Sequence, residues 1–124
     1  MPIITTAYSL TDNFAVPRDS YENCIRFIVG QLDSAASLLP LAQTGDNLGR
    51  PTKGAALALK ARVLLYAASD FYNSSGSWAG SFAQKELIGY TGGDRTARWT
   101  AAKNAAKAVM DLGVYNLYKE GTPA

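Results

Sequence analysis

The apolar residues between positions 18 and 39 recur at alternating spacings of three and four. This spacing predicts a helix about twenty residues long with one apolar side, while charged residues such as Glu22 and Arg26 lie off that side. Asp19 and Glu22 have the spacing of a capping box at its start, and Pro40 predicts its end. The apolar stripe comprises Tyr21, Ile25, Ile28, Leu32, Ala35 and Leu39.

A second apolar segment, from Lys53 to about Tyr72, shows no polar side. Thr52 is a suitable N-cap, so we predict a single helix over this segment. A helix that is apolar nearly all round must be covered nearly all round, and the first helix alone cannot do this. We therefore expect the segment to be sandwiched within a larger helical body. The alternative is a small three-helix bundle that is stable alone.

A third helix is predicted to begin near Thr96, with Gly113 capping its end. Its predicted apolar face comprises Trp99, Ala102, Ala106, Val109 and Met110. Trp99, Ala102 and Ala106 fit the first-helix spacing of the 34-residue tetratricopeptide repeat. The sequence thus predicts an all-α fold, and any repeat of tetratricopeptide-like helical hairpins in it is degenerate, because the long loop separates the first hairpin from the third helix. The predicted regions are an extended lead-in (1–17), a first helical hairpin (18–72), a long loop (73–95), and the first helix of a second repeat with a tail (96–124).

The composition of the chain argues against several classes of function. The net charge of +2 is too small to drive binding to nucleic acid. The chain has no His and a single Cys, which removes the usual general base, the Ser-His and Cys-His pairs and the common zinc ligand sets. We therefore expect no catalytic residues, no metal site and no cofactor, and expect that the chain is not an enzyme. Cys24 is expected to be a small apolar residue on a helix face.

The long loop carries the candidate ligand-binding residues, Trp78 and Tyr90, together with Phe82. Aromatic faces beside amide and hydroxyl groups are what a sugar-binding surface requires. The alternative, which we favour, is that these aromatic residues anchor the loop to the rest of the protein. The glycine-rich stretch 89–94 lacks the Gly-Lys-Ser/Thr ending and the preceding strand of a phosphate-binding loop.

Lys60 and Arg62 lie inside the most apolar helix. Buried cations there could recognise an anionic ligand. We favour instead side chains that reach the helix margin, or an internal ion pair with Asp33 or Asp70.

Several segments together resemble the helical core of the SusD/RagB family. The resemblance covers about residues 14–118, and its most specific part is Gly49 to Ser69, because its order of Gly, Arg, Lys, Ala and Leu goes beyond any helical period. Gln31 and Asp70 depart from the family pattern, where Asp and Pro are expected. The segments are Val16 to Tyr21, Ile28 to Pro40, Gly49 to Ser69, Trp99 to Ala102 and Tyr115 to Tyr118.

The resemblance implies an outer-membrane lipoprotein that works with a SusC-like TonB-dependent transporter at the cell surface to capture glycans or, in some members, peptides. It implies that this chain is an internal piece of the helical scaffold, without the leader, the lipid-anchored cysteine and most of the ligand-binding half. No binding residue is carried over from the family, because the aromatic loop matches no family motif.

Other functions stay open at this point. A free-standing tetratricopeptide-like adaptor that binds peptides in a groove is the main alternative, and an enzyme fragment is a third. We also expect the isolated chain to expose apolar helix surface and to self-associate.

Overall fold

The structure is a computed structural model that describes residues 1–73, 80–117 and 121. Within these residues the chain forms four α-helices and no strand, which confirms the predicted all-α class. Two single 3₁₀ turns, Gly45–Asn47 and Lys85–Leu87, lie in the connections. The helices are α1 (Tyr21–Leu38), α2 (Lys53–Ala68), α3 (Asp70–Asn73) and α4 (Arg95–Met110).

Helix α1 begins one residue later than the capping box predicts. The N-cap is Ser20, whose Oγ accepts a hydrogen bond from the Asn23 N–H at 3.2 Å, so the prediction of Asp19 as the cap is wrong. The Asp19 carboxylate instead accepts the N–H of Ile3 at 2.7 Å, which ties the lead-in to the start of α1. The six residues of the predicted stripe are all partly buried, as their spacing indicates.

The predicted single helix from Lys53 to Tyr72 is wrong, because α2 ends at Ala68. Ser69 has an extended backbone (φ −61°, ψ 157°), and its hydroxyl donates to the Tyr66 carbonyl at 2.7 Å. This local bond replaces a helical one, and the chain then resumes as the short helix α3. The start of α2 is as predicted, with the Thr52 hydroxyl accepting the Ala55 N–H at 3.3 Å.

Helix α2 is the central element of the fold. It packs against α1 on one side and α4 on another, whereas the described parts of α1 and α4 share no comparable contact. In a closed three-helix bundle each helix would contact the other two. The three long helices therefore form an open layer, which leaves a third side of α2 without a neighbour in the described chain.

The buried apolar core consists of small residues. Among the described residues no large side chain is fully buried, while Ala68 of α2 is 0% exposed. The chain has an accessible surface of 9238 Å², against roughly 6,400 Å² for a compact protein of this mass. The small alanine side chains let the helices approach closely, whereas many of the large apolar side chains stay exposed to solvent. The core residues are Cys24, Ala36, Ala56, Ala67, Ala68, Ala102 and Ala105.

The face that α4 buries differs from the predicted one. Ala102 and Ala105 are buried, whereas Ala106, Trp99 and Met110 are exposed. Alanines occur on several sides of this helix, so their spacing alone could not identify the side that packs on α2. None of the helices in the described residues combines the length and apolarity needed to cross a membrane.

The ends of α4 follow ordinary capping chemistry. Asp94 is the N-cap, and its carboxylate accepts the Thr96 N–H at 2.8 Å, so the helix starts at Arg95 rather than Thr96. Gly113 adopts a positive φ of 67° after the helix, and its N–H donates to the Met110 carbonyl at 3.1 Å. This left-handed glycine ends the helix as the sequence predicts.

Candidate functional site

Tyr90 lies in a group of three aromatic side chains that we call the tyrosine cluster: Tyr21 of α1, Tyr72 of α3 and Tyr90 of the loop. The rings of Tyr21 and Tyr72 are stacked, with centroids 4.7 Å apart and planes 10° from parallel. Tyr90 meets the Tyr21 ring edge-on at 5.4 Å. The Tyr90 N–H also donates to the Tyr72 carbonyl at 2.8 Å. The cluster therefore joins the loop to α1 and α3.

Arg98 of α4 holds the other side of the cluster. Its guanidinium carbon lies 3.8 Å from the Tyr90 ring centroid, which is a close cation–π contact. The same group donates to the Asn73 side-chain oxygen at 2.7 Å and to the Gly92 carbonyl. Asn73 in turn donates to the carbonyl oxygens of Ala67 and Ser69 at 2.6 and 2.8 Å. Arg98 thus connects α3, the loop and α4, and it is a functional candidate that the sequence analysis did not identify.

Two phenols of the cluster, those of Tyr21 and Tyr90, have a raised pKa. Burial raises the pKa of Tyr21, and the neighbouring Tyr72 and Tyr90 raise it further. Burial also raises the pKa of Tyr90, although Arg98 acts in the opposite direction. The two phenols are consequently uncharged near neutral pH, and neither supplies a nucleophile or an anionic site there. The arrangement favours packing over chemistry.

The two candidate sugar-binding residues have different outcomes. Tyr90 is partly buried and its ring is engaged by Tyr21 and Arg98, which favours the anchor interpretation for this residue. Trp78 lies outside the described residues. A ligand-binding role for the two residues stays a prediction.

The glycine-rich stretch 89–94 serves the same junction. A Cβ on Gly89 would lie 2.8 Å from the Tyr72 carbonyl oxygen, so only glycine allows this close approach of the loop to α3. Farther along, the Gly92 carbonyl accepts a hydrogen bond from the Arg98 guanidinium. Asp94, at the end of the stretch, is the N-cap of α4. These contacts give the stretch a structural role at the junction of the loop, α3 and α4.

A second surface lies on the uncovered side of α2. All the exposed residues of this helix fall on it, at the spacing of a single helical face, and we call it the outer stripe. Its large apolar members, Leu59, Leu65 and Tyr66, are 50%, 52% and 56% exposed. The expectation that apolar helix surface is exposed is thus met at this face, while self-association stays a prediction. The outer stripe comprises Ala55, Ala58, Leu59, Arg62, Leu65 and Tyr66.

The two cations of α2 are placed differently. Lys60 pairs with Asp33 of α1, with Nζ and Oδ1 2.6 Å apart, which confirms the predicted ion pair for this residue. Arg62 does not pair with either predicted aspartate, since Asp70 pairs with Arg95 of α4. The Arg62 guanidinium lies 6.0 Å from the Tyr66 ring centroid, on the outer stripe.

A shallow, open pocket of about 320 Å³ adjoins the outer stripe near the start of α2. The tail after α4 forms one wall, where the Tyr115 side chain packs so closely against Gly54 that a Cβ at this position would collide with the Tyr115 hydroxyl. This contact docks the tail at the beginning of α2. The lining residues are Thr52, Gly54, Ala55, Ala58, Val109 and Tyr115.

Comparison with protein-family models, with curated proteins and with solved structures found no match to this chain. The described residues contain no group of three or more Cys, Asp and Glu side chains that could hold a metal ion. The functional interpretation therefore depends on the tyrosine cluster, the outer stripe and the sequence resemblance described above.

Proposed function

We propose that this chain is a helical scaffold portion of a SusD-like nutrient-binding protein at the cell surface, acting with a SusC-like TonB-dependent transporter in uptake. The observation that supports this most is the position of residues 49–69, the most specific part of the resemblance. They include the N-capped helix α2, which lies between α1 and α4 at the centre of the layer.

The packing of the layer suits a scaffold of stacked helical hairpins. The extensive contacts of α1 and α4 are both with α2, so the three helices pack in series. Such serial packing is typical of repeat architectures, in which each element contacts mainly its neighbours. A tetratricopeptide-like arrangement in the whole protein is part of the proposal.

The charged groups of the described residues support a non-catalytic role. Asp19 binds the lead-in, Asp33 pairs with Lys60, and Asp94 caps α4. These carboxylates are engaged in contacts that hold the fold together, which supports a structural role for them. In this proposal an oligosaccharide binds to the whole protein, with Trp78 and Tyr90 as candidate contacts, and lipid anchoring places the protein at the outer membrane.

Co-purification from the source organism tests the proposal. The gene would be tagged at its own locus, and outer membranes would be solubilised in a mild detergent before affinity capture and mass spectrometry. We expect a SusC-like transporter in the eluate and retention of the tagged protein on at least one glycan gel. An unrelated tagged outer-membrane lipoprotein is the control. Absence of both the transporter and glycan retention would contradict the proposal.

The outer stripe favours one second candidate, a tetratricopeptide-like adaptor that binds peptides. An exposed apolar helix face with a central cation could receive a peptide segment. The same capture experiment separates the two functions, because an adaptor would be recovered from the soluble fraction with other polypeptides and without a transporter.

A further inference from the structure

We propose that residues 114–117 form a strap that opens and closes over the start of α2, with Gly113 as its hinge and the Tyr115 side chain as its fastening. Tyr115 forms one wall of the open pocket beside α2 and α4, so movement of the strap changes access to that pocket. This inference concerns the tail of the chain and does not depend on the proposed function.

The strap is seated on Gly54, in the first turn of α2. The Tyr115 side chain lies so close to this glycine that a Cβ there would collide with the Tyr115 hydroxyl and ring. Gly54 is buried, whereas Tyr115 is about half exposed. The contact therefore covers the glycine while much of the tyrosine stays in solvent.

A comparison of two helical glycines shows that the fit at the seat is specific. Glycine inside a helix is less stable than alanine, so its presence is informative where a neighbour needs the space. A Cβ on Gly30 of α1 would meet no atom within 4 Å, whereas a Cβ on Gly54 of α2 would meet Tyr115. The glycine at position 54 thus makes room for the strap, and Gly30 supplies a matched control.

The strap has few other contacts that hold it in place. Within the part of the chain that the structure describes, residues 114–117 make no hydrogen bond to α2. Val114 is about half exposed and Leu117 is 90% exposed. Segments with few buried contacts and no backbone hydrogen bonds open locally while the rest of the fold stays intact. The Tyr115 contact therefore determines whether the strap is closed.

Gly113 provides the hinge between α4 and the strap. Its N–H donates to the Met110 carbonyl, which fixes the end of the helix, and a Cβ on Gly113 would meet no atom within 4 Å. Glycine occupies both signs of φ, so the direction of the chain after α4 can change here without steric cost. Large backbone changes at a few terminal residues of an element are how hinges work.

Opening of the strap changes the shape of the pocket. In the closed form Tyr115 borders a space that is lined by Ala55 and Ala58 of α2 and by Val109 of α4. When Tyr115 leaves Gly54, this space loses one wall and becomes a groove that is accessible from the side of the tail. The strap is therefore the closing element of the pocket.

Limited digestion with chymotrypsin measures the open strap. Cleavage after Tyr115 requires the strap to leave its seat, so its initial rate follows the population of the open form. Cleavage after Tyr66, inside α2, reports unfolding of the helices in the same sample. In the wild type we expect faster cleavage after Tyr115 than after Tyr66. Gly54→Ala should raise the rate after Tyr115 at least about threefold and should not raise the rate after Tyr66, because alanine favours the helix.

A matched control and a second measurement make the result specific. Gly30→Ala makes the same change where the space is open, and it should leave the rate after Tyr115 unchanged. Urea denaturation of Gly54→Ala, Tyr115→Ala and the double variant does not depend on protease access. If Tyr115 is seated on Gly54, alanine at position 54 raises the unfolding midpoint more in the Tyr115→Ala chain than in the wild type.

Three results would overturn the proposal. The first is equal cleavage after Tyr115 in the Gly54→Ala and Gly30→Ala chains. The second is equal cleavage after Tyr115 and Tyr66 in the wild type, because the strap would then open only when the helices unfold. The third is a pair of midpoint shifts, for Gly54→Ala and Tyr115→Ala, that simply add in the double variant.

Discussion

The covered and uncovered sides of α2 differ in the size of their apolar residues, and the difference is the opposite of what most proteins show. The covered sides bury small residues, Ala56, Ala67 and Ala68, whereas the outer stripe exposes larger ones such as Leu65 and Tyr66. Most proteins bury their large apolar residues first, because these gain most from leaving water. Here the buried residues are alanines, which allow a short distance between helices, and large apolar side chains of the outer stripe stay about half exposed. The predictions below test this difference.

The largest effect is expected at Ala68, which is completely buried where α2 ends. Ala68→Leu adds three carbon atoms to a contact with no free space, so we expect a loss of about 2–3 kcal/mol in the free energy of unfolding. Urea denaturation followed by circular dichroism measures it.

The matched control for this change is Ala58→Leu, which adds the same atoms to the same helix on the exposed outer stripe. We expect a change of no more than about 0.5 kcal/mol there. Equal losses for the two variants would mean that the outer stripe is also closely packed.

A second loss of stability is expected when the tyrosine cluster loses the Arg98 guanidinium. Arg98→Met keeps much of the side-chain length but removes the bonds to Asn73 and Gly92 and the contact with Tyr90. We expect destabilisation of about 1–3 kcal/mol. Lys107→Met is the control, because Lys107 is exposed and its ion pair in the described residues is with Asp111, one turn away on α4. The control variant should lose about 0.5 kcal/mol or less in the free energy of unfolding. A similar loss in both variants would contradict the connecting role of Arg98.

A small effect is expected on the outer stripe itself. Leu65→Ser removes an exposed apolar side chain, so the free energy of unfolding of the monomer should change by only about 0.5 kcal/mol. The binding of a hydrophobic dye such as ANS should fall at the same time, because the exposed apolar surface is smaller. A loss comparable with that of Ala68→Leu would show that Leu65 is already buried.

The smallest effect near neutral pH is expected for Tyr21→Phe, which keeps the ring stack. Because burial and the neighbouring tyrosines raise the pKa of Tyr21 above its ordinary 10.0, its neutral phenol contributes stability below that pH and loses it as the pH rises further. The wild-type chain should therefore lose stability more steeply above about pH 10 than Tyr21→Phe does. Chemical denaturation at several alkaline pH values measures the two slopes, and parallel slopes would contradict the packing of the cluster.

The sequence was informative where a helix has two distinct sides. The stripe of α1 could be identified from spacing because charged residues occupy its other side, and Thr52 could be identified as a cap from its chemistry. The break at Ser69 could not be identified from the sequence, because apolar residues continue through Phe71 and Tyr72 at helical spacing. There a serine hydroxyl that bonds to its own chain outweighs the apolar pattern.

The candidate sites were harder to predict. Tyr21, Tyr72 and Tyr90 lie far apart in sequence, and only the tertiary fold brings their rings together. An arginine near the start of an alanine-rich helix, soon after two adjacent glycines, is the signal that could have directed attention to Arg98. The uniform apolarity of α2 indicated that the helix needs cover on every side, but it could not indicate which side lacks a neighbour. That side is defined by where α1 and α4 pack.

Hydroxyl-radical footprinting of the unmodified chain, kept monomeric at low concentration, tests the central claim that α2 has one open side. Leucine and tyrosine side chains react in proportion to their exposure, so mass spectrometry can compare residues of the same helix. The account predicts fast modification of Leu59, Leu65 and Tyr66 and slower modification of Leu57 and Leu64, which are partly covered. Equal protection of all five residues would contradict it.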